Sequence, residues 1–229
     1  MPRIKPITSC RALLLCTLLV SIIAFAAHDL DSFRDKLRAR FPESQVSLLN
    51  AWFQAIGSAK TQSEHRRLKL INDFVNRTII FESDSQIWSQ SDYWATPLET
   101  LGMGRGDCED IAIMKYVSLR MAGVPGNKLR LIYARARLPG QDDTQLQAHM
   151  VLAYYTTPIS EPLVLDNLNP EIVPASQRRD LRPVFSFNSE GIYPGVLRKN
   201  DTAPAQINRL SRWEDAWRRI FNDGYLTNP

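Results

Sequence analysis

Gly102-Met103-Gly104-Arg105-Gly106-Asp107-Cys108-Glu109-Asp110 sets three glycines within five residues and runs straight into a cysteine flanked by acids. An apolar helical pattern follows at once in Ile111, Ala112, Met114, Val117, Leu119 and Met121, closed by Gly123 and Pro125. Glycines let the backbone turn sharply and approach a neighbour closely. The pattern predicts a buried helix of about four turns with a glycine stop and Cys108 in its first turn. At a helix N-terminus the dipole and unpaired N–H groups favour an anion, which lowers a thiol's pKa and makes it a nucleophile. The rest of the chain reads as scaffold and partners for Cys108.

The start of the chain reads as an address. Arg3, Lys5 and Arg11 precede an apolar run from Ala12 to Phe25, broken only by Thr17 and Ser21, and Ala24-Phe25-Ala26 offers a small-x-small cleavage site. The run is too short for a comfortable membrane span, so residues 1–26 read as a signal peptide and residues 27–229 as one exported domain. The rival reading is an uncleaved N-terminal anchor. Leu15 before Cys16 is too bulky for a lipoprotein site. Cleavage removes three positive charges and no negative one, taking the formal net charge from +4 to +1. No basic stripe of the kind that binds nucleic acid remains. Of the three cysteines only Cys108 survives cleavage, and a lone exported cysteine is a free thiol.

Helical spacing places a first helix from Asp29 to Phe41, a second on Leu48, Leu49, Trp52, Phe53 and Ile56 that stops near Gly57, and a third on Leu68, Leu70, Ile71, Phe74 and Val75. The Asn76-Arg77-Thr78 glycosylation match overlaps the end of that third helix. Residues 82–95 read as a long loop with aromatic anchors. Thr96-Pro97-Leu98-Glu99 has capping-box spacing with proline at the first helical position, and Ser211-Arg212-Trp213-Glu214 repeats the box before a terminal helix on Trp213, Trp217, Ile220 and Phe221. From Leu129 the period changes to two. Strands are expected at 129–134, 147–155 and 162–166, with short ones at 184–187 and 191–193. Helices first and an antiparallel run after them make an α+β fold.

A nucleophilic thiol needs a base and a group to orient that base. His28 lies at the new N-terminus and His65 in a polar helix start, whereas His149 lies mid-strand in Ala148-His149-Met150-Val151-Leu152. Alternation puts His149 on the face of Val151 and Ala153, opposite Met150 and Leu152. Asp166 ends the apolar run Leu163-Val164-Leu165, where a buried carboxylate is costly without a partner. If the two strands are neighbours, joined by a turn near residues 157–161, the carboxylate reaches the imidazole. The plainer reading is that Asp166 only caps the turn Asn167-Leu168-Asn169-Pro170. A lone strand histidine is usually structural.

The order Cys, His, Asp across a helix N-terminus and two strands resembles the papain-related transglutaminase-like fold. Trp94-Ala95-Thr96-Pro97, Gly104-Arg105-Gly106-Asp107-Cys108-Glu109-Asp110, the strand histidine and Asp166-Asn167 are similar to those of the bacterial transglutaminase-like cysteine proteinases, in particular the periplasmic branch that processes biofilm adhesins. The resemblance runs from about Leu30 to the Trp213–Phe221 helix. It implies Cys108 as nucleophile, His149 as general base and then acid, and Asp166 as the group that holds the imidazole tautomer. It implies backbone N–H near Cys108 for the oxyanion. It implies calcium, with Asp107 and Glu109 as ligands and Asp110 as a further one. It also implies a large surface adhesin as substrate, cut at a pair of alanines, and an inhibitory partner in the periplasmic domain of a cyclic-di-GMP-sensing membrane receptor. Small residues at the cut suit a narrow cleft, which Trp88, Tyr93 and Trp94 are placed to wall.

Calcium also has a physical case. Three carboxylates beside a thiolate repel its charge, and a hard divalent cation would cancel that repulsion. Against it, acids favour a helix N-terminus without any metal. Three further readings stay open: a transglutaminase or amidase with the same triad, in which an amine replaces water as acceptor; a non-catalytic binding module; and a metal-binding structural protein, for which Asp107, Glu109 and Asp110 are the only point.

Overall fold

The structure is a computed structural model that describes residues 30–138, 140, 145–194 and 210–225. The signal-peptide reading of residues 1–26, and His28, fall outside the described residues. Among the described residues no helix is long and apolar enough to cross a membrane.

The helices come first. Residues 30–38 form α1, Val46–Lys60 form α2 and Glu64–Thr78 form α3. Gly57 does not stop α2: the helix runs a turn further, to Lys60, and a Cβ at Gly57 would meet nothing within 4 Å. Packing of Trp52, Ile56 and Ala59 holds this stretch helical, which outweighs one glycine's cost of about 1 kcal/mol. The expected loop at 82–95 contains one turn, α4 (Asp84–Ile87). α5 spans Pro97–Met103 and α6 Cys108–Met121. Ten consecutive α6 residues, Asp110 to Leu119, are buried, as befits a helix wrapped on all sides. α7 (Ser211–Asp223) closes the chain, but its expected capping box is absent: Leu210 is the N-cap and Ser211 already lies inside the helix.

The strands include β1 (Ile80–Phe81) and β2 (Arg105–Gly106), a short parallel pair too brief to leave a period in the sequence. A six-stranded antiparallel sheet is formed by β3 (Leu129–Ala136), β4 (Gln147–Tyr154), β5 (Leu163–Leu165), β6 (Val173–Pro174), β7 (Leu181–Asn188) and β8 (Gly191–Pro194), in the order β6-β5-β4-β3-β7-β8. The α+β class expected from the chain order is therefore what forms.

One face of the sheet receives α6. Leu129, Leu131, Met150, Leu152, Tyr154, Leu165 and Phe187 meet the helical layer in the main core. The opposite face carries a smaller cluster of Ile132, Ala134, Val151, Ala153, Tyr155 and Val164. Three contacts lock the layers. Trp52 Nε1 donates to Ser118 Oγ at 2.7 Å, the Trp213 ring meets Tyr116 edge-on, and Trp213 Nε1 donates to the Asn188 carbonyl at 3.1 Å.

Candidate active site

The glycine-rich stretch is held from both sides. Thr96 and Glu99 form the expected capping box at the start of α5, and α5 ends at Gly104 with φ +65, a left-handed conformation that glycine adopts without a Cβ penalty. The backbone then runs beside β1: Ile80 N–H donates to the Gly104 carbonyl and Glu82 N–H to the Gly106 carbonyl, each at 3.1 Å. Gly106 presses against α6, where a Cβ would stand 2.7 Å from Asp110 Cβ. Asp107 is the N-cap of α6, with Asp110 completing a capping box, so Cys108 occupies the first helical position as expected.

Cys108 is half-buried and forms no disulfide among the described residues. Its thiol donates to the Glu109 carboxylate, while the Met150 N–H of β4 donates to the sulfur. The helix therefore delivers the sulfur to the strand residue beside His149, although the thiol is bonded to Glu109 and not to the imidazole. The expected lowering of the thiol pKa is corrected. Burial first, then the charge and hydrogen bond of Glu109 and the charge of Asp107, push it well up, and the Met150 N–H does not offset them.

Among the described residues two acidic groups have ligand atoms within 4.8 Å of one another: Asp107 with Cys108 and Glu109, and Asp84 with Asp107 and Asp110. Asp84 comes from α4 and is buried, as is Asp110. Asp110 Oδ1 accepts the Ala95 N–H at 2.7 Å, and Asp84 Oδ2 accepts the Tyr93 N–H. The loop Tyr93–Ala95 thus ties the two acids together through its backbone. Burial, followed by the charges of Glu109, Asp110 and Asp84, pushes Asp107 up to about 9. Asp110 is likewise raised, by burial first, and so is Asp84. Asp84 Oδ1 is buried with no hydrogen-bond partner among the described residues. An oxygen-rich set of crowded, buried carboxylates with a spare acceptor fits a hard divalent cation such as calcium. Asp107, Glu109 and Asp110, expected as ligands, are all present in these two groups. Asp84 is the addition, and nothing in its polar surroundings marked it out in sequence.

The second part of the site lies on the sheet face expected for His149. β4 and β5 are antiparallel neighbours, and His149 Nε2 stands 2.8 Å from Asp166 Oδ1. Asp166 also performs its plainer role, since Oδ1 accepts the N–H groups of Asn167 at 2.7 Å and Leu168 at 3.2 Å. Its second oxygen accepts Arg178 Nη2 at 2.6 Å. Burial pushes the Asp166 carboxyl up, but the hydrogen bonds and charges of His149 and Arg178 outweigh it and hold the group down at about 2. Asn76 of α3, the would-be glycosylation site, is half-buried and donates to the Asp166 carbonyl at 2.8 Å. His65 is exposed and far from this constellation in the chain.

The aromatic residues expected to wall a cleft divide. Trp94 is 6% exposed, sits in the main core and stacks on Phe187 at 5.6 Å between centroids, so it is a core residue and not an open wall. Its indole is drawn inward because the neighbouring backbone is pinned: Ala95 N–H by Asp110, and the Trp94 carbonyl by Arg219 Nη2 of α7 at 2.7 Å. Trp88 and Tyr93 are half-buried and pack on each other at 4.8 Å. The Tyr93 hydroxyl is bonded to Glu99 and Arg219.

Arg178 and Lys115 were not legible in sequence. Arg178 lies in an irregular stretch with no period. Lys115 falls inside an apolar helix pattern, where a lysine reads as a surface break, yet it is 0% exposed. Burial pulls its pKa down to about 7 against the raising charge of Asp166, and its Nζ has no hydrogen-bond partner among the described residues.

Residues 51–179 match the family model of the bacterial transglutaminase-like cysteine proteinases. Among solved structures the chain is similar to LapG of Legionella pneumophila in an EGTA-treated form, with a TM-score of 0.70 and 36% identity over 83% of this chain and 97% of that one. A further structure of the same Legionella protein gives a TM-score of 0.68 at 37% identity, covering 83% of this chain and 97% of the other. The calcium-bound form gives 0.67 at 36% identity, covering 83% and 98%. No curated protein matches.

Proposed function

The chain belongs to the bacterial transglutaminase-like cysteine proteinase family, and from that premise we propose that it is a calcium-dependent periplasmic endopeptidase working through Cys108, His149 and Asp166. That it is a cysteine peptidase follows from the family. The observation that carries the residue roles is the hydrogen bond of 2.8 Å between His149 and Asp166, formed beside the strand residue whose N–H meets Cys108.

In this reading Asp166 holds Nε2 of the imidazole, which leaves Nδ1 as the nitrogen for the thiol. His149 takes the Cys108 proton, and the thiolate adds to the scissile carbonyl. The imidazolium returns the proton to the leaving amine, giving a thioester and a free N-terminus. Water, deprotonated by His149, then hydrolyses the thioester and regenerates the thiol. Backbone N–H groups at the start of α6 receive the oxyanion. Asp84, Asp107, Glu109 and Asp110 are the residues that would hold calcium. Bound there, calcium supplies positive charge that offsets the carboxylates beside the sulfur. The calcium-bound form of the Legionella relative supports this reading.

The substrate is proposed to be the N-terminal region of a large surface adhesin, cut near a double alanine to promote biofilm dispersal. The inhibitory partner is proposed to be the periplasmic domain of a cyclic-di-GMP-sensing receptor, and residues 1–26 the export signal. The test combines residues 27–229 with the N-terminal fragment of such an adhesin from the same genome, with calcium, with chelator, and with Cys108→Ala. Cleavage at the alanine pair that needs calcium and disappears with Cys108→Ala is the expected result. No cleavage by folded protein under any condition overturns the adhesin reading, and amine incorporation into a glutamine substrate would replace it with transglutaminase chemistry.

A further inference from the structure

We propose that Arg178, held by Asp180, is a positioning residue that locks the Asp166 carboxylate in the orientation His149 needs. The inference rests on the triad reading above and extends it to two residues outside the triad.

Asp166 accepts from four donors among the described residues. Three of them, His149 Nε2 and the N–H groups of Asn167 and Leu168, converge on Oδ1. A carboxylate rotates about its last torsion with roughly two-fold symmetry, so three donors on one oxygen do not fix which oxygen faces the ring. Arg178 Nη2 on Oδ2 at 2.6 Å breaks that symmetry. It also satisfies an oxygen that would otherwise be buried without a donor, since the Asp166 side chain is 0% exposed.

A lone guanidinium would serve this purpose badly. Its charge would compete with the imidazolium for the same carboxylate and weaken the base. Asp180 answers that. It accepts Arg178 Nε at 3.0 Å and Nη2 at 2.7 Å, a fork that shares Nη2 with Asp166. Asp180 offsets part of the Arg178 charge, so the pair orients Asp166 while leaving it negative for the imidazolium. The pair is itself anchored: the Arg178 N–H donates to the Ala175 carbonyl at 3.0 Å, and the Asp180 carbonyl accepts the Arg137 N–H at 2.9 Å. A cavity of about 500 Å³, lined by Leu168, Asn169, Gln177, Arg178 and Asp180, opens this back side of the site to solvent. A free guanidinium ion therefore has a route to the place of the Arg178 head group.

The experiment follows the alkylation of Cys108 by iodoacetamide in calcium-loaded protein, with unfolding temperature measured alongside. His149→Ala is the reference and should slow alkylation about tenfold or more, because it removes the base that makes the thiolate. Arg178→Ala should slow it about tenfold, the scale of a misplaced catalytic group. Guanidinium at tens of millimolar should restore most of the rate, and sodium chloride at equal ionic strength should not. Asp180→Asn, at a partly exposed position, should slow it about threefold by leaving the cation uncompensated. A wild-type rate in folded Arg178→Ala, or a slow one that guanidinium leaves unchanged, overturns the inference. If Arg178→Ala does not fold, Asp180→Asn decides: a slowed rate supports the pair and an unchanged rate overturns it. An unchanged rate in His149→Ala would instead sink the triad reading.

Discussion

At the start of α6, Asp107 and Asp110 face each other and Asp84, and burial and mutual repulsion raise all three carboxyls, Asp107 to about 9. At the end of β5, Asp166 is no less buried than Asp84 yet is held at about 2. The residue type and the burial are alike; the neighbours differ. Asp166 has an imidazole, a guanidinium and two backbone N–H groups. The α6 acids have backbone N–H groups and one another. At one end of the site the carboxylate is balanced by protein cations, and at the other acid stands against acid. Cys108 lies on the acidic side, its thiol raised first by burial and then by Glu109 and Asp107.

The same substitution should act oppositely at the two ends. Asp166→Asn removes the charge that Arg178 and His149 share, and should cost about 3 kcal/mol in urea unfolding, as for a broken buried pair. A loss under about 1 kcal/mol would mean that Asp180 alone satisfies Arg178, and the contrast would fail. Because the folded carboxyl lies below its unfolded value, its contribution is present above about pH 4 and fades as the pH falls toward 2.

Lys115 tests how far the balanced end reaches. It lies midway along the helix that starts among the acids but feels Asp166, and its folded pKa of about 7 lies below the unfolded value of about 10.4. The unfolded chain then binds more protons between those values, so this lysine makes stability rise as the pH climbs from 7 toward 10. Lys115→Met should flatten that rise and add on the order of 2 kcal/mol near pH 7. A stability–pH curve parallel to wild type would show that Lys115 is well solvated or well paired.

The smallest effect is at the acidic end. Asp107→Asn keeps an N-cap acceptor while removing a carboxyl that burial and its acidic neighbours disfavour in its charged form. In chelator it should raise stability by about 1 kcal/mol, and the rise in unfolding temperature on adding calcium should be lost. Destabilisation in chelator would mean that the three acids are not crowded by their own charge.

Much of this was legible in the chain. The α5 capping box, the helix led by Cys108, the glycine-rich entry and the face on which His149 lies follow from local spacing, and each is where it was expected. The misses share a cause. Gly57 and Ser211 are local signals overruled by packing of Trp52, Ile56 and Trp213. Trp94 reads as a cleft aromatic only until its backbone is seen pinned by Asp110 and Arg219. Asp84 and Arg178 lie in segments with no period, where a charged residue looks like any solvated one.

The sequence by itself determined the class of fold, the place of Cys108 at the start of a helix and of His149 on a strand face, because helix caps and strand alternation are short-range and leave their pattern in neighbouring residues. Only the tertiary structure decided which charges meet. Asp84 joins Asp107 and Asp110 through the β1–β2 pairing and the Tyr93–Ala95 loop, and Arg178 reaches Asp166 across the turn that follows β5. Electrostatic partners are chosen by proximity in space, and proximity between residues far apart in the chain is set by the packing of whole layers.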